Sequence, residues 1–202
     1  NRQSRVMAVQ ANRRVGISGL TLTEGNGVGE PESGEGGGAL NAAGSHFSIV
    51  ESVLTNHISQ SFGGGVRNRD DAQLVVRNST FVNNRAIAGA VIANGFRSNL
   101  LATGSTFSNN FSPNTGVLFF ASEASGDIEN CTLTANRGTL VSGITVSGAN
   151  QVSVRNSIIA RNTNSDVSGA LTSRGHNLIG NPGTVTSFTQ PGDQTGNAAN
   201  PL

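Results

Sequence analysis

Asn78-Ser79-Thr80-Phe81-Val82-Asn83-Asn84 is a phrase that the chain repeats. It returns as Gly104-Ser105-Thr106-Phe107-Ser108-Asn109-Asn110, as Asn130-Cys131-Thr132-Leu133-Thr134-Ala135-Asn136 and as Asn156-Ser157-Ile158-Ile159-Ala160-Arg161-Asn162. The large apolar anchors Phe81, Phe107, Leu133 and Ile159 stand 26 residues apart. A period of that length marks a solenoid: one repeat cannot bury its apolar face alone, and stacking neighbours buries a continuous core. Weaker copies upstream place Leu22 and Leu54 at the anchor.

Two further apolar columns precede the anchor. Val15, Phe47, Leu74, Leu100, Gly126 and Val152 form one; Ile17, Ile49, Val76, Ala102, Ile128 and Val154 form the other. Their spacing of two residues puts both on one face of a strand. A further strand follows each anchor, introduced by a glycine or another small residue, as in Gly38-Ala39-Leu40, Gly89-Ala90-Val91 and Gly116-Val117-Leu118. Three short strands per turn predict an all-β fold, a single-stranded parallel β-helix of about 26 residues per coil, right-handed by the rule for parallel crossovers. The helix is expected over residues 1–180, with 181–202 an extended tail continuing into further sequence.

Two polar columns fit the same winding. Ser52, Ser79, Ser105, Cys131 and Ser157 lie two residues before the anchor, and His57, Asn84, Asn110, Asn136 and Asn162 lie three after it. Stacked amides can hydrogen-bond along the coil axis, so the second column predicts an asparagine ladder. Cys131 in a serine's place reads as a buried, inert thiol. The first interval, Leu22 to Leu54, is about six residues longer than the repeat period. The excess falls in Gly25–Gly38, with Glu30, Glu32 and Glu35 among glycines, and reads as a flexible, solvated acidic loop. Glycine and proline between the acids give no rigid oxygen cage for calcium.

Composition narrows the partners. Charged residues make up 12% of the 202 and the formal net charge is +1, which gives no strong pull toward nucleic acid or an anionic membrane. All 13 basic residues are arginine, which removes lysine Schiff-base and lysine isopeptide chemistry. One cysteine forms no internal disulfide. No apolar run is long enough to span a membrane.

The Gly-Gly-Ala-Leu of 37–40 paired with Phe-x-x-Asn at 81–84 and 107–110 resembles the repeats of chlamydial polymorphic membrane proteins. Ile17-Ser18-Gly19-Leu20-Thr21-Leu22, the Asn-Ser-Thr-Phe copies and Gly175-His176-Asn177-Leu178-Ile179-Gly180 are similar to bacterial right-handed parallel β-helix proteins with a choice-of-anchor Q domain. The resemblance implies a bacterial, extracellular or cell-surface setting. It also implies sequence beyond the Gly-Asp-Gln…Asn-Pro-Leu run of 192–202. It covers nearly the whole chain, and its motifs are structural, so it speaks to fold more than to activity.

Many β-helices cleave polysaccharides with clustered carboxylates, or with carboxylates, calcium and a basic residue, on outward positions of neighbouring coils. Gly175-His176-Asn177 lacks the third residue of the Gly-His-Gly signature of polygalacturonases, and Asp70-Asp71 falls in an expected turn. The best cluster is Asp127 and Glu129 on one outward face, with Arg155 level with Glu129 and Arg77 two coils back in the same column. A cross-strand salt bridge is its plain reading, and a sugar-binding or catalytic role the sharper one. No catalytic residue, metal or cofactor is assigned. Asn78, Asn110 and Asn130 head glycosylation sequons that the repeat generates by itself.

Alternation counted from the glycine sends Leu40, Val66, Val91, Leu118, Ile144 and Leu171 inward, and Asn41, Arg67, Ile92, Phe119, Thr145 and Thr172 outward. Ile92, Phe119 and Val117 then share an outward face, with Val75 and Leu101 a second outward apolar pair. These residues are the expected lateral interface, with other copies of the chain or neighbouring domains of a longer one as partners. The expected function is a non-catalytic extracellular or cell-surface module: a stalk, adhesin or assembly unit. A carbohydrate-active or sugar-binding β-helix is the alternative, which makes polysaccharide a possible ligand.

Overall fold

The three strands per repeat form in the computed structural model, which describes residues 4–30, 32–148 and 151–202. Equivalent strands of successive coils pair in parallel to build three sheets, of 7, 7 and 8 strands. Sheet A takes the strand after each anchor: Met7–Val9, Ala39–Asn41, Val66–Asn68, Ile92–Asn94, Leu118–Phe120, Val141–Val146 and Ser165–Ser168. Sheet B takes Arg14–Ser18, His46–Val50, Gln73–Arg77, Asn99–Thr103, Ser125–Glu129, Gln151–Arg155 and Leu171–Ser173. Sheet C carries the anchors, from Thr21–Thr23 to Ile158–Ala160, then Leu178–Ile179 and Gln194–Thr195. Each coil supplies its own crossover, so parallel pairing needs no helix.

The expected core columns are the observed ones. Phe47, Leu74, Leu100, Gly126 and Val152 lie in register along sheet B, as do Ile49, Val76, Ala102, Ile128 and Val154. Leu54, Phe81, Phe107, Leu133 and Ile159 lie in register along sheet C and are fully buried. The rings of Phe81 and Phe107 pack against each other, tilted by 37°, with centroids 5.4 Å apart. Burying each such side chain contributes about 1.5–3 kcal/mol, which the shared column makes available only once coils stack. The first residue of the repeated phrase is explained by the corner between sheets B and C. Asn78, Gly104, Asn130 and Asn156 sit there with φ of 48, 58, 54 and 47°, a left-handed conformation that asparagine and glycine tolerate.

The buried serine and asparagine columns are paired along the axis. The backbone N–H groups of Ser52 and Ser79 each donate to the hydroxyl of the serine one coil on, at 3.1 Å. The amides of Asn84, Asn110 and Asn136 donate to the next Oδ1 at 3.1, 3.0 and 2.9 Å. Cys131 is buried in the serine column, and burial pushes its thiol pKa up to about 11, which leaves it unreactive.

Sheet A departs from the expected alternation. Ile92 pairs with Val66 and Leu118 and is wholly buried in the core; Val117 is buried there too. Neither belongs to an outward patch. At the corner entering this sheet two consecutive side chains turn inward, Val91 with Ile92 and Val117 with Leu118. Period-2 counting holds only from the first paired residue onward, and the glycine is one residue too early. Asn41 is therefore inward, at the head of a second buried ladder. Its amide donates to Asn68 at 2.8 Å, and that of Asn68 to Asn94 at 3.0 Å. Leu40 stands outward by register, beside Arg67.

The coil contracts near its last turns. Ile159 pairs with Ile179, and Ile179 with Thr195, intervals of 20 and 16 residues. Leu171 consequently joins sheet B opposite Val152, not sheet A. The segment 181–202 adds the last strand of sheet C and packs Phe188, and partly Val185, on the core.

Candidate functional site

The outer face of sheet B carries the charged cluster. Ser125–Glu129 sends Asp127 and Glu129 outward, because Gly126 and Ile128 fill the inward columns. One coil on, Ser153 lies opposite Asp127 and Arg155 opposite Glu129. Arg77 sits two coils back in the Glu129 column, with Thr103 between. The ion pair that forms is a different one: Arg174 Nη2 lies 3.2 Å from Asp127 Oδ1, and the Ser153 hydroxyl donates to the same oxygen. Glu129 and Arg155 are level but make no ion pair within the salt-bridge distance. They line a shallow hollow of about 410 Å³ with Asn130, Asn156 and His176. A neighbouring hollow of about 420 Å³ is lined by Asp127, Arg174, Ser153, Asn99, Gln151 and other polar groups.

Arg174 escaped the sequence reading because the coil contracts before it. The signal was present: Leu171-Thr172-Ser173-Arg174 repeats Val152-Ser153-Val154-Arg155, an apolar, a hydroxyl, an inward residue and arginine.

Asp70, Asp71 and Asp193 work between coils or close turns. Asp71 lies in a turn and takes two hydrogen bonds from Arg97, one coil on, at 2.7 and 2.9 Å. Those bonds hold its carboxyl below the usual range. Asp70 Oδ1 accepts the N–H of Phe96. Asp193 accepts from Ser173, from both nitrogens of Asn177 and from Gln190 N–H. Burial would raise its pKa, and those donors outweigh burial and lower it. His176 is exposed, while Asn177 beside it is buried and continues the serine column by accepting the N–H of Ser157. The Gly-His-Asn stretch is therefore part of the coil's internal bonding.

The described residues of segment 25–38 are held, not free. Glu35 reaches Arg67 at 3.1 Å and Arg69 at 3.0 Å, and Glu32 reaches Arg69 at 3.2 Å. Arg67 is only 9% exposed although it points outward, and Leu40 next to it is wholly buried. Turn residues lie back over this face of sheet A: the Arg67 guanidinium sits 5.0 Å from the Phe62 ring centroid, and Phe62 stacks on Phe119 at 6.4 Å. Of the residues expected at a lateral interface, Phe119 is outward but half-covered in this way. Val75 and Leu101 are adjacent outward on sheet B, each half-buried.

Among the described residues no group of three or more His, Cys, Asp or Glu side chains could hold a metal ion, and no helix is long and apolar enough to cross a membrane. The arrangement offers hydroxyl, amide and paired-charge contacts to a ligand on sheet B. Asp127 already has two partners in the fold. No curated protein and no solved structure matches the sequence. Residues 8–185 match the family described as right handed beta helix region. The sequence period, the three parallel sheets and this match over most of its length agree, and the chain belongs to the right-handed β-helix family.

Proposed function

We propose that this chain is a non-catalytic β-helix module, a stalk, adhesin or assembly unit of a bacterial extracellular or cell-surface protein. The observation that carries this reading is where the outward polar groups go. Asp127 with Ser153, Asp71 with Arg97, Asn99 with Ser125 and Asn130 with Asn156 each join positions 26 residues apart. Side chains that would do acid–base work in a cleft tie one coil to the next along a rod. The similarity to choice-of-anchor Q proteins and polymorphic membrane protein repeats supports the surface setting. Of the apolar residues expected at a lateral interface, Val75 and Leu101, with Phe119 on the neighbouring sheet, are outward and available to another copy or a neighbouring domain.

A second reading, a sugar-binding or carbohydrate-active helix, is favoured by the two polar hollows on one sheet. Incubation with a panel of acidic and neutral polysaccharides separates the two. The stalk reading expects no new reducing or unsaturated ends. Product release that disappears in Asp127→Asn or Glu129→Gln establishes the enzyme. Immunogold labelling of intact source cells with antibody to this chain tests the surface setting, and label confined to the interior rejects it.

A further inference from the structure

The strap of residues 25–38 lies between the sheet C strand Thr21–Thr23 and the sheet A strand Ala39–Asn41, and its described residues form no strand. Its carbonyl oxygens turn toward one point. Gly27, Gly29 and Gly34 have φ of 74, 117 and 95°, a region that glycine enters without the steric cost of a side chain. At that point lies the guanidinium of Arg5. Its Nη2 donates to the carbonyls of Glu32 at 2.7 Å, Glu35 at 2.8 Å and Gly27 at 3.3 Å. Its Nη1 donates to Gly29 at 3.4 Å, and its Nε to Glu35 and Gly36 at 3.2 Å each. Backbone bonds flank the contact: Arg5 N–H donates to Val28, and Asn26 N–H to Ser4.

We propose that the strap is a guanidinium receptor, filled by Arg5 of its own chain, and that filling it latches the strap onto the helix. Three observations carry this. First, the carbonyls come from residues up to nine positions apart in a stretch whose described residues form no strand, and one planar fork donates to them all. A buried carbonyl needs a donor, and elsewhere in the helix the adjacent coil provides one. Second, Arg5 is 8% exposed; burial lowers its pKa, and Glu35 and Glu32 lie near enough to offset part of that cost. Third, the strap's far side is bound to the next coil. Gly36, Gly37 and Gly38 donate to Phe62, Gly63 and Gly64, and the Glu35 carboxylate holds Arg67 and Arg69. Removing the Arg5 side chain removes the guanidinium contact and leaves the flanking backbone bonds and the outer contact standing.

A receptor differs from an ordinary packing contact in that its ligand need not be tethered. Arg5→Ala deletes the atoms of ethylguanidinium, so that small cation is the probe. Glu-specific proteolysis at Glu32 and Glu35 under native conditions reads strap opening. Arg5→Ala is expected to be cut about tenfold faster or more than wild type, since cleavage proceeds through local opening. Millimolar ethylguanidinium, far below denaturing levels, is expected to slow the cut again, while ethylammonium is not. Arg5→Lys is expected to behave like Arg5→Ala, because a point charge does not span the fork. Cleavage of Arg5→Ala at the wild-type rate overturns the proposal, and so does equal protection by the two cations. If either variant melts as a whole, the same cations are compared by melting temperature. A rise with ethylguanidinium no greater than with ethylammonium then rejects the receptor. None of these outcomes depends on whether the helix is a stalk or an enzyme.

Discussion

The asparagine ladder on sheet C's side of the helix is finished differently at its two ends. At one end the column holds His57, whose Nδ1 accepts the N–H of Gly25 at 2.9 Å, just as an asparagine Oδ1 does for the coil before it. The ring cannot do the second half of the amide's work. Its Nε2, which carries the ring proton when Nδ1 accepts, is buried and makes no onward bond, where Asn84, Asn110 and Asn136 donate onward. At the other end Asn162 donates to Asp166 Oδ1 at 2.6 Å, and Asn181 N–H reaches Oδ2 at 2.6 Å. A carboxylate only accepts, so it can end a row of donors. The difference teaches that the ladder has a direction: an acceptor closes it cleanly, and a residue that must also donate leaves a flaw.

The largest effect should come from breaking the ladder between its ends. Asn110 makes five side-chain hydrogen bonds, to Asn84 N and Nδ2 and to Phe81, Ser108 and Asn136. At about 1 kcal/mol per bond, Asn110→Ala should cost about 5 kcal/mol and leave Asn84 N–H buried without a partner. Denaturant midpoints of wild type and variant check this. A loss below about 1 kcal/mol would mean that the ladder follows the fold without holding it.

The two ends should respond to acid in opposite senses. Burial lowers the His57 pKa from 6.5 to about 4. The unfolded chain therefore takes up its proton first, and stability falls as pH drops from about 6.5 toward 4. The loss approaches roughly 3 kcal/mol once both states are protonated. A charged ring would also turn an N–H toward the Gly25 N–H and break that bond. His57→Asn removes the titrating ring, restores the onward amide bond and should flatten this window. Burial raises the Asp166 pKa against the hydrogen bonds it accepts, so proton uptake there favours the folded state as pH falls. Asp166→Asn removes that offset, and its stability should fall more steeply in acid than the wild type's. Melting temperatures across pH 7 to 4 decide both; parallel curves for all three proteins would mean that neither end governs the acid limb.

The columns of sheets B and C were legible because each repeat restates them. Phe81 and Phe107, or Asn84 and Asn110, need only be counted. Sheet A was misread where geometry breaks the count. The corner that buries both Val91 and Ile92 shifts the alternation by one, so Ile92 was placed outside and the Asn41–Asn68–Asn94 ladder went unseen. Its 27- and 26-residue spacing was nevertheless in the sequence. The strap was read as free because its ligand, Arg5, lies before the first full repeat, and no period connects a residue used once to a loop used once. The charged cluster was half legible: Asp127 and Glu129 follow from alternation, whereas Arg174 reaches Asp127 only because the coil contracts to 20 residues.

The smallest effect should come from that cluster, which sharpens the contrast between buried and outward ladders. Asp127 pairs with Arg174 across a surface where their side chains are 43% and 54% exposed. Water and salt screen such a pair, and holding two mobile side chains costs entropy, so it contributes about 0–1 kcal/mol. Asp127→Asn keeps the shape and an acceptor for the Ser153 hydroxyl, and Glu129 makes no ion pair to lose. The double variant Asp127→Asn, Glu129→Gln should therefore melt within about 0.5 kcal/mol of wild type, where Asn110→Ala loses several times that. Raising the salt should shrink even this difference. A loss near that of Asn110→Ala would show that the outward pairs bind the coils together as strongly as the buried amides do.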